Sequence, residues 1–188
     1  MGRWEPNARG RLAQAALELY SERGYEQTTV TEIARRAGLT ERTFFRHYAD
    51  KREVLFEGST SLEELLVGAL NGTPASAAPI DAVAAALDAA AAVFEEHRAH
   101  SQKRQKIIAA NTELRERELI KLASLSAALA DALRQRGVAD PAASLAAEAG
   151  IAVFKIAYER WVEETNQRSM AQLIRESLDE LKAVTAGT

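Results

Sequence analysis

Cysteine is absent from the 188 residues. That excludes a disulfide framework, thiolate zinc and iron–sulfur sites, and cysteine-based catalysis. Proline is scarce, and its four copies (Pro6, Pro74, Pro79 and Pro141) sit where helices begin or linkers run. Sustained period-two alternation is missing, as is an Asn-Gly hairpin between β-rich runs, so no sheet is expected. No apolar run is long enough to span a bilayer: the alanine-rich stretch 82–94 is short and interrupted by Asp88. Residues 1–6, MGRWEP, lack the apolar core of a signal peptide, and Asn71-Gly72-Thr73 is expected to be a plain turn. An excess of positive charge is lacking too. Lys plus Arg number 24 against 27 Asp plus Glu, a net charge of -3. A chain that coats nucleic acid indiscriminately is usually strongly basic, so any DNA contact must come from a local patch.

Catalytic and metal-binding motifs are equally scarce. No GxGxxG, P-loop, GxSxG or HExxH spacing occurs. The acidic pairs Glu95-Glu96 and Glu163-Glu164 are adjacent on helices, where neighbouring side chains diverge. His97 and His100 share a helix face among charged neighbours, which suits solvated surface, and no Glu-x-x-His pattern suggests a di-iron bundle. The expectation is a protein that is not an enzyme, with no metal and no cofactor.

What is present is helical periodicity, almost throughout. Nine helices are expected, near 6–23, 30–37, 41–48, 50–70, 81–100, 101–110, 113–136, 141–164 and 170–184. In the first, Leu12, Ala15, Ala16, Leu19 and Tyr20 form a stripe at i, i+3, i+4, i+7, i+8. Capping boxes read Thr29–Glu32, Asp50–Glu53 and Ser169–Gln172. Gly24, Gly38 and Gly137 act as C-terminal stops, and Asp140-Pro141 as a restart with aspartate at the N-cap. Residues 71–79, NGTPASAAP, are the clearest linker.

Residues 30–48, VTEIARRAGLTERTFFRHY, have the spacing of a helix-turn-helix. Val30, Ile33, Ala34 and Ala37 give the first helix an apolar stripe. In the second, Phe44 and Tyr48 share a face that packs inward. That leaves Glu41, Arg42, Phe45 and Arg46 pointing elsewhere. Arginine can donate twice to guanine O6 and N7, and an aromatic edge can meet a thymine methyl. Phosphate grip is expected from Thr29 at a helix N-terminus, from Lys51, and from His47 with Arg9 or Arg11. Residues 35–52 carry a local charge of +4, while residues 1–57 total +1 and the remainder -4. The candidate DNA-contacting set is Thr29, Thr40, Glu41, Arg42, Thr43, Phe45, Arg46, His47 and Lys51. The competing reading is a helical protein-interaction module without specific DNA binding.

Across residues 9–57 the chain resembles the tetracycline-repressor (TetR) family of bacterial regulators. Ala15-Ala16, Leu19-Tyr20, Gly24-Tyr25, Thr28-Thr29-Val30, Ile33-Ala34, Ala37-Gly38, Thr43, Phe45, Tyr48, Lys51 and Leu55 carry the resemblance. It implies a three-helix DNA-binding head, residues 1–52, on an all-helical effector-binding and dimerisation body, residues 53–188. Family members commonly have glycine at the Arg42 position and often tyrosine at that of Phe45, so Arg42 adds a base-reading candidate and Phe45 lacks a hydroxyl. The TFFRHY variant is similar to a subgroup with acyl-CoA-like ligands. The implied partners are palindromic operator DNA, a small-molecule effector and a second copy of the chain, with no membrane. The implied location is the bacterial cytoplasm, on the nucleoid when DNA is bound.

In the body, the helix near 141–164 has two nearly opposite apolar faces. One carries Leu145, Ala149, Ala152 and Ile156; the other carries Ala147, Ile151, Phe154, Tyr158 and Trp161. One core can cover only one of them, so the first face, with Leu173, Leu178 and Leu181 of the last helix, is the expected dimer interface. An apolar effector pocket is expected from Phe94, Ile108, Leu122, Phe154, Tyr158 and Trp161, with Gln105 and Asn111 as polar anchors. The alanines of 81–92 leave room either for close helix packing or for a cavity.

Overall fold

The structure, a computed structural model, describes residues 7–186. Among them nine α-helices and one 3₁₀ turn follow each other without a strand. They are α1 (Ala8–Arg23), α2 (Val30–Arg36), α3 (Glu41–His47), the 3₁₀ turn (Glu53–Phe56), α4 (Ser59–Asn71), α5 (Pro79–Glu95), α6 (Arg98–Ala109), α7 (Thr112–Gln135), α8 (Asp140–Trp161) and α9 (Met170–Ala186). The all-α expectation holds. Pro6, expected to open the first helix, lies outside the described residues. The observed cap is Asn7, whose side chain accepts from the Gly10 amide at 3.1 Å.

The single helix expected over 50–70 is two elements. Asp50 caps as expected, accepting from the amides of Arg52 (2.7 Å) and Glu53 (3.3 Å). The chain then makes a 3₁₀ turn that ends at Phe56; Glu57 is extended, and Gly58 adopts φ +86°, a left-handed conformation that no helix runs through. Glu53 does not reach back to complete a box but pairs with Arg117. Asp140 differs as well: it begins α8 without capping it, and its carboxylate pairs with Arg134 at 2.6 Å. At α9, Ser169 Oγ accepts from the Gln172 amide (3.2 Å), while the Gln172 side chain turns to Glu176 (2.9 Å), so half of that box forms.

The molecule divides into two compact units. One contains the described residues through Gly58 together with Lys103–Glu118; the other contains Ser59–Gln102 and the described residues from Leu119 onward. The break therefore falls at Gly58, and residues 103–118, assigned from sequence to the body, pack with the N-terminal helices.

The first unit is built around Leu12, Ala16, Leu19, Ile33 and Phe44, all essentially sealed from solvent, together with Ile108 and Leu114 from the later segment. Each such large side chain contributes about 1.5–3 kcal/mol by burial. Arg104 fastens the later segment: its Nε donates to Leu55 O at 2.6 Å and its guanidinium lies 5.0 Å from the Phe56 ring centre.

In the second unit the alanines of α5 serve close packing. Ala82, Ala86, Ala90 and Ala91 are buried in the core. Where α8 crosses α5, a Cβ on Gly150 would stand 2.2 Å from Val83 Cγ1. The 71–79 stretch is not a domain linker but a helix–helix connection inside this unit. Arg136 holds it, donating to Leu70 O (3.0 Å), Thr73 O (3.2 Å) and Pro74 O (2.6 Å).

Candidate nucleic-acid interface

The helix-turn-helix forms as its spacing predicts. Thr29 and Glu32 complete a reciprocal capping box on α2, and Thr40 Oγ1 accepts from the Thr43 amide (3.2 Å) to start α3. Between them Gly38 has φ +67°, a left-handed conformation that favours glycine and turns the chain from α2 into α3. Phe44 and Tyr48 anchor the inner face of α3, both buried, with ring centres 5.5 Å apart. The Tyr48 hydroxyl donates to Glu57 Oε2 at 2.6 Å; burial and that carboxylate together push its ionisation upward. With this face fixed, the opposite side of α3 must present Glu41, Arg42, Phe45 and Arg46. Phe45 is 55% exposed and is held edge-on against Phe44 with centres 5.4 Å apart.

The charges around α3 sort into engaged and available. Arg36 pairs with Glu22 (2.8 Å) and Glu18 (3.4 Å), Arg23 with Glu32 (2.6 Å), and Arg52 with Asp50 (2.6 Å). Hydrogen bonding from Arg52 and from the Arg52 and Glu53 amides holds the Asp50 carboxyl below its usual range; Thr29 does the same for Glu32. Arg9 pairs with Glu57 (3.3 Å) and lies over the Tyr48 ring, while Arg11 donates to Ala37 O. Arg35, Arg42 and Arg46 have no ion pair among the described residues. The local charge of +4 is thus narrower than the sequence suggests, and its available part lies on and beside α3.

Several expected phosphate ligands are otherwise occupied. Lys51 Nζ donates to Tyr25 O (3.0 Å) and Thr28 O (3.1 Å) and sits 4.2 Å from the Tyr25 ring centre. It braces the α1–α2 loop, because an ammonium satisfies backbone carbonyls that no helix uses. Burial in that corner pushes the Tyr25 phenol up to about 12. The N-terminus of α2 already has its anion, the Glu32 carboxylate, which receives both the Thr29 amide (3.0 Å) and hydroxyl (2.9 Å). Arg9 and Arg11 are held as described, and His47 is half-buried with Nε2 sealed from solvent and no partner.

The expected effector residues do not gather as one set. Phe94, Phe154, Tyr158 and Trp161 cluster in the second unit, with Phe94 centred 5.6 Å from Phe154, 5.5 Å from Tyr158 and 6.2 Å from Trp161. Leu122 packs on the same core. Ile108 instead belongs to the core of the first unit; there too Gln105 reaches Glu118 (3.4 Å) and Asn111 donates to Ile107 O (2.7 Å). They fall outside the aromatic cluster because 103–118 is part of the head.

Sequence reasoning missed two groups at the edge of that cluster. Arg98 Nη2 donates to Trp161 O (3.0 Å) and Asn166 O (2.6 Å), closing the C-terminus of α8. Glu95 Oε2 accepts from the Met170 amide (2.8 Å), closing the N-terminus of α9. Their partners lie more than sixty residues away, so no local pattern signals them.

The expected dimer residues divide by helix. On α8, Leu145 is 70% exposed and Ile156 52%, with Ala152 exposed and Ala149 half-buried between them. On α9 the expectation is corrected for two residues: Leu173 and Leu178 are buried in the chain's own core, while Leu181 packs on it and stays half-buried. Leu173 and Leu178, already covered, cannot also form a partner's surface. Among the described residues no helix is long and apolar enough to cross a membrane, and no group of three or more His, Cys, Asp or Glu is placed to hold a metal ion.

Residues 12–57 match the family model of bacterial regulatory proteins, tetR family, and residues 77–186 match that of the MftR C-terminal domain. The chain belongs to the TetR family. A protein named as a mycofactocin biosynthesis transcriptional regulator, MftR of Mycobacterium tuberculosis, is 28% identical over 87% of this chain and 84% of its own length. The transcriptional regulator TcmR of Streptomyces glaucescens is 41% identical, but over 43% of this chain and only 36% of its own. Among solved structures, FadR of Bacillus subtilis in complex with stearoyl-CoA has the same fold: TM-score 0.65, 20% identity, covering 92% of this chain and 96% of that one. The TetR-family chain is therefore a DNA-binding transcriptional regulator, and the protein-interaction reading gives way to it.

Proposed function

We propose that this regulator is a repressor that grips a palindromic operator as a homodimer and releases it when a small, largely apolar effector fills the second unit. The observation that carries the DNA half is the outer face of α3. Arg42 and Arg46 stand there without ion pairs beside exposed Phe45, while the flanking cations Arg36, Lys51 and Arg52 are bonded within the protein. Base contacts are assigned to Glu41, Arg42, Phe45 and Arg46, with Thr40 and Thr43 at the start of the helix. Thr29 and Lys51 serve to hold the helix pair in place, one by capping α2 and the other by bracing the α1–α2 loop. The exposed α8 strip Leu145, Ala149, Ala152 and Ile156 is the dimer face, pairing two heads for half-sites about 34–36 Å apart. Working on DNA places the protein at the nucleoid of a bacterial cytoplasm.

The effector is assigned to the aromatic cluster, where Trp161 Nε1 is buried without an acceptor. The stearoyl-CoA held by FadR of Bacillus subtilis, a protein of the same fold, makes acyl thioesters the first class to try. Release requires the effector to bind the DNA-incompetent state more tightly, since equal affinity shifts nothing.

Selection from random DNA with the purified protein tests the first half. A palindromic consensus supports it, and no enrichment at moderate salt refutes it. Fluorescence anisotropy of the selected duplex, titrated with stearoyl-CoA and shorter acyl-CoAs, tests the second. Undiminished binding throughout removes acyl thioesters as the effector class.

A further inference from the structure

The acidic residue on the DNA-facing side of α3 calls for explanation. A carboxylate there is repelled by phosphates and loses its hydration on docking, which is unfavourable unless a donor replaces the water. Glu41 is not a loose surface side chain. The Thr31 hydroxyl, on the first turn of α2, donates to Glu41 Oε1 at 2.6 Å. One carboxylate oxygen is thereby fixed against the neighbouring helix. The other, Oε2, has no partner among the described residues, and Glu41 makes no ion pair with adjacent Arg42. The hydrogen bond thus orients an acceptor without neutralising it.

The helix period places Phe45 on the same edge as Glu41, four residues on, and Arg46 on the same edge as Arg42. α3 therefore has a basic edge and an acceptor–aromatic edge. In the major groove only cytosine N4 and adenine N6 are donors. Adenine sets the acceptor N7 beside its amino group, which repels a carboxylate. Cytosine sets an apolar C5–H there, which suits the neighbouring Phe45 ring. Guanine and thymine present acceptor oxygens and are disfavoured outright.

We propose that Glu41, clamped by Thr31, selects cytosine at one position of each operator half-site, with Thr31 as its positioning residue. This rests on the regulator reading above. Glu41 acts mainly by exclusion, since an acceptor facing an acceptor is penalised. Thr31 acts by keeping the carboxylate from turning away from a wrong base.

Selection from random DNA, run in parallel for the wild type, Glu41→Gln, Glu41→Ala and Thr31→Val, is the test, with thermal melts confirming that each variant folds. The wild-type motif is expected to hold an invariant C·G pair that Glu41→Ala turns degenerate while the other positions persist. Glu41→Gln should move that position toward adenine, whose N6 and N7 suit an amide. On duplexes differing only there, the wild type should prefer cytosine at least about fivefold, and Thr31→Val should lower that ratio. Glu41→Ala returning the wild-type motif overturns the proposal and leaves only a role at the α3 N-terminus, where a carboxylate favours the helix dipole. An undiminished ratio in Thr31→Val overturns the clamp. A wild type that enriches no motif overturns the regulator reading itself, a result distinct from either.

Discussion

Replacing Gly150 with alanine would drive a methyl carbon to 2.2 Å from Val83 Cγ1, well inside van der Waals contact. Val83 cannot easily yield. It is fully buried in the core of the second unit, and its β-branch strongly prefers one rotamer in a helix. Relief must come from displacing α8 from α5 or from an off-rotamer valine, and overpacking of this kind costs about 1–3 kcal/mol. Against it stands the gain of replacing glycine within a helix, about 1 kcal/mol. The expected net loss is up to about 2 kcal/mol, or a fall in Tm of roughly 4–8 °C at this chain length. Val83→Ala alone should lose about 2 kcal/mol through the methyl groups removed and the cavity left. In the double variant the new methyl enters the vacated space. It should therefore be more stable than the sum of the single changes by about 1 kcal/mol or more. Denaturant titration followed by circular dichroism measures all four corners. Gly150→Ala more stable than the wild type, or strict additivity with Val83→Ala, would refute the close α5–α8 crossing.

Arg42→Ala should weaken specific DNA binding by about 1–3 kcal/mol and relax one base position, checked by anisotropy and repeat selection. Lys51→Ala should lower the melting temperature, because three backbone carbonyls lie within reach of its ammonium; the salt dependence of DNA affinity should stay unchanged, whereas a flatter slope would restore Lys51 as a phosphate ligand. Ile156→Asp should give monomers by light scattering, and an intact dimer would move the interface off α8. Asp50 has its folded-state pKa lowered, first by its bond to Arg52, so its contribution to stability is complete above the unfolded value near pH 4. That contribution is lost as pH falls through the lowered value. Arg52→Ala should make acid unfolding less steep, as measured by denaturant midpoints from pH 5 to pH 2.

The helix-turn-helix was legible because every determinant of it is local: the Thr29–Glu32 box, Gly38, the Thr40 cap and the Phe44–Tyr48 spacing lie within twenty residues. The roles of single cations were not. Lys51, Arg9 and Arg11 look like phosphate ligands in sequence, yet their partners are backbone carbonyls or carboxylates brought near by folding. The exposed α8 stripe was legible from its two opposed apolar faces. The α9 leucines were not, since periodicity gives a helix an apolar face without saying which neighbour covers it. Residues 103–118 escaped for the same reason: Ile107 and Ile108 announce burial but not in which core.

The membership of 103–118 in the first unit bears on how such a protein can be recombined. Gly58 looks like a natural splice point for grafting the DNA head onto another body. A graft cut there would leave Ile107, Ile108 and Leu114 behind and strip the Leu55 carbonyl of the Arg104 guanidinium. A transferable head has to carry two stretches of chain, with α6 and α7 each cut in mid-helix to supply the second. Exchange of specificity between such regulators is therefore more feasible by changing side chains on α3 than by swapping the head whole.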